Sequence, residues 1–143
     1  MNELPPLTRD QRKVDADHVK LLAIFHFIGA GLALIGLVFL LGHCALMHAI
    51  FTNPKFLESQ KQGPSPAEIF AIFKWVYAVG AVWFVASGIL NLISGFCLLA
   101  RKGRTFSMVV AVINCLHIPL ETVLGVFTLI VLIRDSVREL YEA

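Results

Sequence analysis

Three long stretches of the chain carry no Asp, Glu, Lys or Arg: between Lys20 and Lys55, between Lys74 and Arg101, and between Arg104 and Glu121. Such uncharged apolar runs are the pattern of membrane-crossing helices, because about 20 apolar residues span roughly 30 Å of hydrocarbon. The first span begins after Lys20, runs from Leu21 to Leu41, and stays apolar as far as Phe51. Asn53-Pro54 then supplies a break and a new start, with Asn as cap and Pro in the first helical position. Residues Pro54 to Lys61 therefore read as a short interfacial helix ended by Gly63.

The second long helix has a start signal of its own. Ser65-Pro66-Ala67-Glu68 places a capping Ser, a first-turn Pro and a Glu three residues after the cap. Its membrane part is expected to run from Lys74, Trp75 and Tyr77, residues suited to the headgroup boundary, to Ala100 before the basic turn Arg101-Lys-Gly-Arg104. The last apolar stretch, Thr105 to Ile133, is too long for one comfortable span and too short for two full ones. Pro119 lies in its middle and Glu121 follows two residues later, which is again a helix-start pattern. Two short helices joined near His117-Ile118 are expected rather than one kinked helix.

Charge supports the even count. With four helices, nine of the twelve Lys and Arg fall on one side: Arg9, Arg12, Lys13, Lys20, Arg101, Lys102, Arg104, Arg134 and Arg138. With three spans, Arg134 and Arg138 change sides and the asymmetry is largely lost. The positive-inside rule therefore places both termini in the cytoplasm. The expected fold is all-α: a polytopic four-helix membrane bundle with two long helices and a short C-terminal hairpin. Residues 1–20 form a cytoplasmic N-terminal segment, 21–133 the transmembrane domain with an outer helical cap over 44–74, and 134–143 a cytoplasmic tail. The cap follows from length. Continuous to Phe51 and from Pro66, the first two helices exceed about 45 Å, and each hairpin arm reaches only about 21 Å.

Composition agrees with lipid as the solvent. Hydrophobic residues make up 57% of the 143 and charged residues 15%, whereas soluble domains carry about a quarter. The net charge of +2 and the position of the basic residues beside apolar spans exclude nucleic acid as a partner. The N-terminal twenty residues mix both signs, unlike a cleavable signal peptide, so the first span is expected to remain as an anchor. Cys44, Cys97 and Cys115 have no metal-type spacing and read as small buried hydrophobes. Gly29 and Ala33, Ser87, Asn91 and Gly95, and Ala111 and Cys115 recur four apart and mark helix contacts, either within the chain or toward a partner.

Candidate chemistry is sparse. Asn114, His117 and Glu121 form a polar cluster at membrane depth near the hairpin apex. Glu121 admits two readings: a cap that meets unpaired N–H groups at a helix start, with His117 beside it, or a proton-handling or ligand-binding group. A two-histidine haem is disfavoured by depth, because His26 lies near 9 Å, His43 near 34 Å and His117 near 18 Å from the cytoplasmic ends. A haem or pigment on a single His stays open, and no cofactor or metal is otherwise expected. There is no Gly-rich phosphate loop or nucleophile elbow, so an enzyme is the least supported class.

From Ser87 to Ile133 the chain resembles small bacterial membrane proteins with four predicted helices. The resemblance is carried by Gly88-Ile-Leu-Asn-Leu-Ile-Ser-Gly95, Arg101-Lys-Gly-Arg104, and Asn114-Cys-Leu-His-Ile-Pro119-Leu-Glu-Thr122-Val-Leu-Gly125, followed by Thr128-Leu129 and Val131-Leu132. It covers about a third of the chain and departs from the pattern at Glu121, where Gly is usual, and at Ile130, where an aromatic is. It supports the C-terminal hairpin and implies no established activity. The expectation is a non-catalytic subunit whose partners are the lipid bilayer and other membrane-protein subunits, with transport or sensing through Glu121 and His117 as the alternative.

Overall fold

A computed structural model describes residues 9–59, 65–116 and 120–142, all of the ordered elements being helices. They are α1 (Arg9–Phe51), α2 (Pro54–Ser59), α3 (Pro66–Leu99), α4 (Arg104–Asn114), α5 (Leu120–Ile133) and α6 (Asp135–Glu142). Two of these, α1 and α3, are long and apolar enough to cross a membrane, while α4 and α5 are shorter apolar helices. At 1.5 Å per residue, α1 measures about 64 Å, α3 about 51 Å, α4 about 16 Å and α5 about 21 Å.

The local signals act as the residue types require. Asn53 Oδ1 accepts the Lys55 N–H at 3.0 Å, capping the helix that Pro54 opens. At the start of α3, Glu68 N–H donates to Ser65 Oγ and Ser65 N–H donates to Glu68 Oε2, both at 3.3 Å, which is a complete capping box. Pro66 is the first residue of that helix. The end of α3 closes with Lys102 N–H on the Cys97 carbonyl at 2.9 Å and Arg101 N–H on the Leu98 carbonyl at 3.2 Å. This paired closure puts Arg101 in the left-handed region at φ 51°, a place usually taken by glycine. Gly103, at φ 62°, then begins α4. The break after Asn114 confirms two helices where one kinked helix was the competing reading; Pro119 and His117 lie outside the described residues.

The chain divides into two compact units. The first comprises residues 1–30 and 89–143. Its core holds Val19, Leu22, Ala23, Leu98, Val131, Leu132 and Val137, with Phe27, Met108, Leu124 and Tyr141 packed against it. Within it α4 and α5 form a close hairpin. A Cβ at Gly125 would strike the Ala111 carbonyl and sit 2.9 Å from Cys115 N, so only glycine permits the approach. Thr122 Oγ1 donates to the Cys115 carbonyl at 3.2 Å at one end of the hairpin. At the other end Arg104 Nε donates to the Leu132 carbonyl at 2.8 Å, satisfying a carbonyl in the last turn of α5.

The second unit comprises residues 31–88. Here α1 and α3 run antiparallel in a regular register. Gly36 faces Phe84, Leu40 faces Gly80, and the Tyr77 hydroxyl lies 2.7 Å from His43 Nδ1, so each step along α1 is matched by an equal step back along α3. Further on, His48 and Phe51 pack against the Phe70 ring, with centroids 5.4 and 5.9 Å apart, and Lys74 Nζ lies 5.5 Å from that ring's centre.

Two segments take a structure that the sequence reading did not assign. The polar N-terminal segment is already helical from Arg9, and the expected C-terminal tail is the helix α6. The reason is packing. Val137 is fully buried beside Val19, Asp15 lies 3.8 Å from Arg134, and Arg12 lies 3.8 Å from Glu139. The Val137, Leu140 and Tyr141 spacing was a helix signal that the surrounding charges masked.

Candidate functional site

The interior of the first unit contains a seam of polar side chains set among apolar ones. Its centre is a reciprocal amide pair between α3 and α4. Asn91 Nδ2 donates to Asn114 Oδ1 at 3.2 Å, and Asn114 Nδ2 donates to Asn91 Oδ1 at 2.8 Å. Both residues are essentially excluded from solvent, at 0% and 1% exposure. Gly29 of α1 makes the third wall, because a Cβ there would meet the Asn91 amide at 3.6 to 3.9 Å. A buried amide must have its donor and acceptor matched, and two Asn side chains turned head to tail satisfy each other.

His26, Ser94, Ser107 and Thr128 are also fully buried in this unit. His26 Nδ1 is 2.9 Å from the Leu22 carbonyl, which can only accept, so Nδ1 carries the proton of that bond. Thr128 Oγ1 donates back to the Leu124 carbonyl at 2.8 Å, four residues earlier in its own helix. His26 Nε2, Ser94 Oγ and Ser107 Oγ have no hydrogen-bond partner among the described residues. These are the groups at which a buried water would be expected.

Asn114 and Glu121, the two described members of the expected apex cluster, stand in different settings. Asn114 is committed to Asn91, and Glu121 is half-buried in the first turn of α5, the place where a carboxylate meets the positive end of a helix. The small residues flagged as contact positions do pack within the chain: Gly29 on Asn91, Gly95 on Phe27, and Ala111 and Cys115 on Gly125. What the sequence reading missed is the hydrogen-bonded role of Asn91 and the buried state of Ser94, Ser107 and Thr128. Asn91 and Ser94 lie three apart on one face of α3, and Ser107 and Asn114 lie seven apart on one face of α4. That spacing was the available signal.

Chemically the seam consists of amides, hydroxyls and one imidazole in a packed interior. Such groups fasten helices by direction-specific bonds where apolar contacts alone would let them slide. Among the described residues no three of His, Cys, Asp and Glu come together in a way that could hold a metal ion. The class so defined is an all-helical chain with two helices able to cross a membrane and a polar-fastened interior. The chain matches no family model, no curated protein and no solved structure.

Proposed function

We propose that this is a non-catalytic integral membrane protein that serves as an accessory or structural subunit of a larger assembly in the inner (cytoplasmic) membrane. In this reading α1, α3, α4 and α5 form a four-helix bundle in the bilayer, with both termini cytoplasmic. The observation that carries it is the surface of residues 31–88. Of their described side chains only Ala33, Phe70 and Ser87 are buried, while Phe39 is 75% exposed and Trp75 76%. Lipid covers such a surface to about 30 Å of depth. Counted from Lys20 and Ala100, Ile50 and Ile72 lie more than about 40 Å along their helices, beyond that depth. Yet Ile50 is 38% exposed, Ile72 71% and Phe73 47%. Apolar surface outside lipid is the mark of a protein contact.

The test is gentle extraction of the natively expressed protein and mass spectrometry of what remains with it. A reproducible set of partner subunits supports the reading. A solitary, well-behaved monomer overturns it and moves the weight to transport or sensing through Glu121 and His117. The half-buried position of Glu121 favours that second reading to the extent that water reaches it, so its modification by a carboxyl reagent in intact membranes separates a lined path from a sealed cap.

A further inference from the structure

The turn that joins α3 to α4 carries more charge and more backbone strain than reversing the chain requires. Arg101 occupies the left-handed position that glycine would fill without strain, and a strained non-glycine residue points to a use for its side chain. That side chain lines an open recess of about 550 Å³ together with Lys102, Arg104 and Arg138. Thr105 and Tyr141 also line it, and among the described residues no Asp or Glu does. Arg101 and Lys102 make no ion pair among the described residues. Arg104 is held in place by its Nε bond to Leu132, which leaves the other two nitrogens of its fork for a further acceptor. Gly103 offers α4 no side-chain cap, so the first N–H groups of that helix add to the positive field. Burial, opposed more weakly by nearby Arg104, pushes the Tyr141 hydroxyl up to about 12. It therefore stays a neutral phenol and brings no negative charge to the recess.

We propose that this recess is a binding site for an anionic phosphate group. Guanidinium forks match phosphate oxygens in pairs, an uncapped helix start supplies further donors, and a hydroxyl is present at Thr105. The volume falls within the range of roughly 300–1,000 Å³ of small-molecule sites, enough for a phosphate and part of the molecule that carries it. The source depends on the membrane reading given above. If the chain sits in the bilayer with this turn cytoplasmic, the phosphate belongs to an anionic phospholipid headgroup, as in other basic pockets at that level. A soluble phosphate compound offers the same chemistry.

The experiment uses the full chain, purified in mild detergent and stripped of lipid. Retention of phosphatidylglycerol against phosphatidylcholine is measured by native mass spectrometry, with and without millimolar inorganic phosphate. The expected result is a clear preference for phosphatidylglycerol that falls at least tenfold in Arg101→Gly and in Arg101→Gln combined with Lys102→Gln. The glycine variant is informative because it relieves the backbone: its thermal midpoint should hold or rise while retention falls. A charge-matched control, Lys55→Gln with Lys74→Gln, should keep the preference. Competition by inorganic phosphate alone assigns the site to a soluble phosphate, and its absence assigns it to the headgroup. Equal retention of both lipids by wild type together with no phosphate binding overturns the proposal, as does an equal loss in the control. Release of the protein from membranes by alkaline carbonate would defeat the membrane reading, yet leave the inorganic-phosphate arm standing on its own.

Discussion

Replacing Asn114 by Leu keeps the branched outline of the side chain and removes both bonds of the amide pair. Two buried hydrogen bonds, at 2.8 and 3.2 Å, are then lost from Asn91. A buried polar group deprived of its partner costs about 1–3 kcal/mol, so a loss near 2 kcal/mol is expected for Asn114→Leu and a similar one for Asn91→Leu. The double variant is the decisive case. Replacing both partners by apolar groups of similar shape is close to neutral, so it should be more stable than either single variant and within about 1 kcal/mol of wild type. The assay is reversible unfolding in mixed micelles by added dodecyl sulfate, followed by circular dichroism, with the four proteins forming a double-mutant cycle. A double variant at the sum of the two single losses, within the additivity scatter of about 0.5 kcal/mol, would refute a coupled pair.

Glycines give a contrasting set. Gly125→Ala places a Cβ against the Ala111 carbonyl and Cys115 backbone, which cannot yield as a side chain can, and should destabilise by about 1–3 kcal/mol in the same assay. Gly31→Ala meets nothing within 4 Å and should stabilise by about 0.5–1 kcal/mol through helix propensity; a loss there would contradict the helical register. Ser65→Ala should speed amide exchange in the first turn of α3 by roughly fivefold, at about 1 kcal/mol for a cap, while exchange in α5 stays unchanged. Tyr141 gives a pH dependence. Its folded value is raised to about 12 from 10, so its contribution to stability is complete below about pH 10 and is lost as pH rises toward 12. The Tyr141→Phe variant should lose less stability than wild type over that interval, and identical pH profiles would show that the hydroxyl is not buried.

Most helix boundaries were legible because they rest on local chemistry. Ser65 and Glu68 are three apart, Asn53 precedes Pro54, and each pair acts through backbone groups within one turn. The division of the last apolar stretch into α4 and α5 was legible for the same reason. Partners from distant parts of the chain were not. Asn91 and Asn114 are 23 residues apart, and nothing in either local window says which amide faces which. The helix α6 was not read within the C-terminal tail because it depends on Val19 and Asp15, more than a hundred residues earlier, as surfaces to dock on. Height along a helix can be counted from its ends, and it leaves open which residues of two helices face one another. That count works because rise per residue is fixed, whereas rotation about the helix axis accumulates uncertainty with every turn.

The amide pair has one further property, which follows from its being neither acidic nor basic. Two carboxamides have no proton to gain or lose across the physiological range, and no net charge on which a transmembrane voltage can pull. A salt bridge at the same place would loosen whenever the local acidity or the electrical gradient changed. The clamp between α3 and α4 is insulated from both, because neither amide gains or loses a charge.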